Sequence, residues 1–219
     1  MEPSYRVPSL ARRLVTAATM SLLLTLTTVV GLYAANATLT VAAVALLTVT
    51  LGWFARLSSG EQQSGLGAVN GTWALALAVV GRHRFGELLP LLATQILTAL
   101  VAGLGLRAVG DRLGEPQLFA DPQWVSVTLV SLLAAVVGTW AVLGVDGDGP
   151  DALLAAPVVL AGAGPTVVLV GAANPAVFVG VAAAGLVPWG PAAAGAGLAL
   201  VGAMAGAYAV ALITPAATT

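Results

Sequence analysis

The chain of 219 residues has no cysteine, its eight basic residues are all arginine, and only 8% of its side chains are charged. Without cysteine there is no disulfide framework, and the redox compartment is left undetermined. So few charges cannot cover the surface of a water-soluble globule of this size. Eight Arg nearly cancel nine Asp and Glu, leaving a formal net charge of −1. No basic stripe is available to neutralise phosphates, which excludes a nucleic acid as partner. The sequence also shows no nucleophile and base pair, no metal-ligand cluster and no phosphate-binding loop, so no enzymatic activity, cofactor or metal is expected. No acid or histidine falls inside an apolar run, which removes the residues an ion-coupled pump would need.

Apolar residues make up 59% of the chain. Six spans of 20 residues and two half-spans would occupy roughly 140 positions. The whole length, 1–219, is therefore read as a single integral membrane domain. Charge-free stretches and turn signals place spans at about 14–35, 38–55, 88–106, 124–145, 152–170 and 191–213. Six crossings put both termini on one side. With that side cytoplasmic, Arg6, Arg12, Arg13, Arg56, Arg82 and Arg84 lie inside and only Arg107 and Arg112 outside, as the positive-inside rule prefers. Trp53, Trp124 and Trp189 sit at span ends, where an amphipathic indole favours the headgroups. Arg12-Arg13 before an apolar run resembles a twin-arginine signal, but a run of about 22 residues is longer than a signal peptide's 7 to 15 and reads as a retained span.

Two apolar segments, 71–81 and 175–187, are only about half the length that crosses a bilayer. Each is expected to dip into the membrane and return, which is tolerated where protein or a water-filled cavity satisfies the broken backbone. Gly67-Ala68-Val69-Asn70-Gly71-Thr72 aligns without gaps on Gly171-Ala172-Ala173-Asn174-Pro175-Ala176, and the register continues to Gly81 on Gly185. Three spans separate the two asparagines. The spacing predicts an inverted repeat, about 12–110 and 122–214, each copy holding three spans and one half-helix. Asparagine is a strong N-cap, and Pro175 suits the first helical position. Two half-helix N-termini meeting at the bilayer centre would repel cations and protons.

These residues resemble the major intrinsic protein family of aquaporins and glycerol facilitators over nearly the whole chain. Asn174-Pro175-Ala176 matches the family's signature tripeptide, and Asn70 takes the matching place in the first half. Thr94-Gln95 is similar to the family's Ala-Gln in the third span, and Trp189-Gly190-Pro191 with Gly195-Ala196 to its last-span opening. The resemblance implies an all-α, aquaporin-like fold with six transmembrane helices and two re-entrant half-helices, assembled as a homotetramer in the lipid bilayer. The compact length and short tails suit a prokaryotic inner membrane.

The departures bear on function. Asn70-Gly71-Thr72 keeps the asparagine and loses the proline. The position of the family's selectivity arginine is Val177, and its other constriction positions fall on Gly171, Gly162 and, in the second span, either Val44 or Thr50. The glutamates usual in the first and fourth spans are missing, with Ala17 in the first place. Such a constriction is wider and more apolar than a strict water filter. The expected activity is passive passage of water or small uncharged solutes, unless the apolar neck dewets and stays shut. A nonconducting scaffold derived from the same fold, and a secondary transporter with saturable ion-dependent uptake, are the competing readings. His83 reads as part of a basic membrane-edge anchor, the Asp146–Asp151 run as turn chemistry, and Gly202 and Gly206 as close helix packing.

Overall fold

The computed structural model describes residues 9–34, 37–59, 64–116, 124–144 and 174–213. All regular structure among them is helical. α1 spans Leu10–Tyr33 and α2 Ala37–Ser59; a 3₁₀ turn at Ser64–Ala68 leads to the short α3, Gly71–Val79. α4 covers Phe85–Val109 and runs into a 3₁₀ turn at Gly110–Arg112, and α5 covers Trp124–Gly144. The short α6, Pro175–Ala183, precedes α7, Trp189–Ile213. Among the described residues, three helices are long and apolar enough to cross a membrane: α1, α4 with its 3₁₀ extension, and α7. The described apolar parts of α2 and α5 are shorter, Ala42–Ala55 and Val127–Trp140. The chain is an all-α membrane protein. The expected span at 152–170 lies outside the described residues.

Helix starts follow local capping. α1 begins earlier than hydropathy suggests because Ser9 caps it, its Oγ accepting from the Arg12 amide. Arg12 and Arg13 thereby become first-turn residues. α4 also starts earlier than expected, at Phe85, which puts Glu87 in the first turn, where the helix dipole favours an acid. Arg13 and Glu87, both largely buried, form an ion pair that ties the first turn of α1 to that of α4.

The burial pattern is that of a protein packed in lipid. On α7 most buried positions are small, among them Gly195, Ala199, Gly202, Ala203, Gly206 and Ala207, whereas the large Val201, Met204, Tyr208 and Leu212 face outward. Lipid chains are as apolar as leucine, so nothing drives leucine inward; small residues that let backbones approach decide which faces meet. A methyl added at Gly202 would stand 2.4 Å from the Leu132 carbonyl oxygen of α5, and at Gly206 2.8 Å from that of Val136. This is the close packing the spacing of the two glycines suggests.

Each short helix packs on the far half of the chain. α3 lies against α5 and α7, and α6 against α1 and α4; each also touches the long helix that follows it. α1 packs on α4 as α5 packs on α7. Exchanging α1, α3 and α4 for α5, α6 and α7 leaves this set of neighbours unchanged.

Candidate functional site at the ends of two short helices

α3 and α6 have nine residues each, about 13 Å of helix at 1.5 Å per residue, less than half the hydrocarbon thickness of a bilayer. Both obey the same local rules. Asn70 and Asn174 stand in extended backbone as N-caps, and each Oδ1 accepts from the amide two residues on, Thr72 at 3.0 Å and Ala176 at 3.1 Å. Both helices stop at a glycine with positive φ, Gly81 at 77° and Gly185 at 79°. The carbonyls of Leu77 and Val181 accept the amides of Arg82 and Leu186 across these stops, closing the last turn. The apolar segments expected at 71–81 and 175–187 are therefore shorter as helices, because the left-handed glycine turns the chain.

The two N-termini meet. Asn174 Nδ2 donates to the Val69 carbonyl at 3.1 Å, across a separation of 105 residues. A Cβ placed on Gly71 would stand 3.8 Å from Pro175 Cδ. Both asparagines are buried. Each helix N-terminus carries roughly half a positive charge, so bringing two together is unfavourable unless oxygens lie between them. The cap oxygens and the Val69 carbonyl are placed to do this. One hydrogen of the Asn174 amide is spent on Val69, leaving the other as a donor. Two helix N-termini together disfavour a cation at the junction.

Two side chains support the site; Gln95 escaped the sequence reading of it, whereas Thr72 was among the expected residues. Gln95, fully buried on α4, donates from Nε2 to the carbonyls of Gly67 at 2.8 Å and Ala68 at 3.0 Å, so the stretch before Asn70 is held from α4. Ala17 on α1 is buried and contributes no polar group. A lone amide in an apolar span was the available signal, because such a group must find a partner. The second is Thr72, whose Oγ1 donates to Asn70 Oδ1 at 2.9 Å.

A Cβ on Gly71 would meet side-chain ends rather than backbone, Leu92 Cδ2 at 2.5 Å and Gln95 Oε1 at 3.1 Å, so a larger residue there requires the leucine methyl to move aside.

Of the expected constriction residues, Gly162 and Gly171 lie outside the described residues. Val177, third in α6, is buried in the apolar core beside Phe178 and Val181. On α2, Val44 lies on the buried face with Thr48, Leu51 and Ala55. Thr50 shares the exposed face with Leu46, Trp53 and Phe54, and its hydroxyl donates to the Leu46 carbonyl. Helical periodicity thus separates the two alternatives: Val44 points into the protein and Thr50 away from it.

His83 is buried in the turn that ends α3, and its amide donates to the Leu77 carbonyl. At the matching end of α6, the Arg107 guanidinium approaches Gly185, 3.8 Å separating Nε from where a Cβ would stand. A cation suits that helix end, where carbonyls carry the negative pole. No group of three or more metal-ligating side chains occurs among the described residues. Neither a protein-family model nor a curated protein matches the chain.

Proposed function

We propose that the chain is a passive membrane channel of the aquaporin type that carries water or small uncharged solutes. The observation that carries this reading is the junction of two asparagine-capped, nine-residue helices at their N-termini. Neither helix can cross a bilayer, and two helix starts facing each other form a cation-repelling point with amide donors, which is what a conduit for neutral solutes needs. In this reading α3 and α6 are re-entrant half-helices within six membrane-crossing helices, the two halves form an inverted repeat, and both termini are cytoplasmic. Asn70 and Asn174 are the central donors. No fixed cation guards the pathway, because a valine, Val177, stands where the family's selectivity arginine would be. The assembly is a homotetramer with one pathway per subunit.

The test is stopped-flow light scattering of reconstituted liposomes. Water, glycerol or urea should cross faster than in protein-free vesicles, with no saturation and no dependence on an ion gradient. Asn174→Asp, which keeps the cap oxygen but adds negative charge and removes the donor to Val69, should raise cation leakage. Flux of all three solutes indistinguishable from empty vesicles refutes conduction and favours a scaffold role; saturable, gradient-dependent uptake identifies a transporter instead.

A further inference from the structure

We propose that the indole N–H of Trp73 binds an oxygen of water or of a small neutral solute, at a place that Gly138 leaves uncovered; this deepens, and rests on, the channel reading. Trp73 is the third residue of α3, three positions on from the Asn70 cap. The register that pairs Asn70 with Asn174 pairs Trp73 with Val177, the third residue of α6. The two halves therefore differ one turn from their caps. α6 has an aliphatic side chain there, whereas α3 has a large ring with a polar atom on its edge. Both residues lie in the apolar core.

An indole has one polar atom, and it can only donate. A buried tryptophan ordinarily gives that hydrogen to an acceptor in the protein. Trp73 is only 4% exposed, yet its Nε1 donates to no acceptor among the described residues. Unlike the hydroxyls of Ser21, Thr25 and Thr139, which are sealed without a partner, Nε1 keeps some accessible surface. The neighbour on α5 accounts for this. A Cβ placed on the buried Gly138 would stand 3.6 Å from Nε1 and, beyond the backbone of its own helix, meet nothing else within 4 Å. That is ordinary contact, so packing does not demand glycine at 138 as it does at Gly202 and Gly206, where the added methyl runs into carbonyl oxygens. Glycine is also a poor helix former. What it provides at 138 is an N–H with no methyl against it, and a space that admits a methyl admits the smaller oxygen of water. A group that only donates selects an accepting oxygen, as in water, an alcohol or urea, and gives a cation nothing to bind.

The experiment compares the full chain with Gly138→Ala, which covers the N–H and leaves Trp73 in place, and with Trp73→Phe, which keeps a ring without the donor. The chain has five tryptophans, at 53, 73, 124, 140 and 189. Selective ¹⁵N-tryptophan labelling in lipid nanodiscs therefore yields five indole signals, assigned by single Trp→Phe substitutions. In the parent, the Trp73 indole hydrogen should show a through-space cross-peak to water, and Gly138→Ala should abolish it. Added urea or glycerol should shift the Trp73 signal saturably in the parent and not in Gly138→Ala; a signal that meets water and ignores both solutes assigns the site to water. Flux should fall about fivefold in each variant, the equivalent of about one neutral hydrogen bond, at equal reconstitution and equal melting temperature. A Trp73 hydrogen without contact to water or solute in the parent overturns the proposal whatever the flux. So does flux unchanged by both variants in a conducting parent. A parent that passes no solute, with the indole response as expected, leaves the binding site standing and removes the channel reading.

Discussion

Gly103 of α4 packs closely against the short helix α6, and the contact makes a sharp prediction. A methyl added there would stand 2.1 Å from the Gly180 carbonyl oxygen of α6 and 2.9 Å from Ala183 Cβ. An ordinary carbon–oxygen contact is about 3.3 Å, so Gly103→Ala is short by about 1 Å. The obstructing atom is backbone in a buried helix and cannot rotate away. α4 and α6 must separate instead, or α6 must shift toward Thr25 of α1, where Gly180 already sits against a side chain. Overpacking of this kind costs about 1–3 kcal/mol. Gly105, two residues along the same helix, provides the internal control, because nothing lies within 4 Å of a Cβ placed there. Gly105→Ala should be neutral or stabilising by up to about 1 kcal/mol, the helix-propensity gain. Reversible unfolding in mixed micelles, titrated with a denaturing detergent and followed by circular dichroism, measures both. Because α6 also carries Asn174, Gly103→Ala should additionally slow solute flux, whereas Gly105→Ala should not. Equal stability of the two variants would refute the argument that α4 and α6 meet backbone to backbone.

The same unfolding measurement checks two further contacts. Gln95→Leu leaves the buried carbonyls of Gly67 and Ala68 without their side-chain donor and should cost about 2–3 kcal/mol; a loss under about 0.5 kcal/mol would mean that Gln95 does not hold the stretch before Asn70. Gly81→Ala and Gly185→Ala force a Cβ into left-handed backbone and should each cost about 1–2 kcal/mol, nearly additively because the sites lie on opposite halves. At Gly81 no neighbour stands within 4 Å of the added atom, so the loss there is conformational alone, and Gly81→Asn should recover part of it.

Much of the candidate site was legible along the chain because it obeys rules that act within a few residues. An asparagine before a short apolar run caps a helix, a glycine after it ends the helix, and a run too short to cross lipid must turn back. Asn70, Gly71, Thr72, Asn174, Pro175 and Ala176 stand out on those grounds, and the glycines at 81 and 185 follow in register. The choice between Val44 and Thr50 was not legible, since both lie in one uninterrupted apolar helix and only the direction of its buried face separates them. Nor was the approach of Leu92 to Gly71, which lie on different helices.

Sequence alone determined the class of molecule: too few charges for a soluble globule, enough apolar length for a membrane protein, and two matched short helices with the same cap and the same stop. Tertiary structure alone decided which groups meet. The bond from Asn174 to Val69, the grip of Gln95 on the Gly67 and Ala68 carbonyls, and the contact of Gly103 with Gly180 join residues far apart in the chain. In lipid the faces that pair are chosen by how closely two backbones can approach and by which buried polar atoms find partners, and both depend on shape in three dimensions.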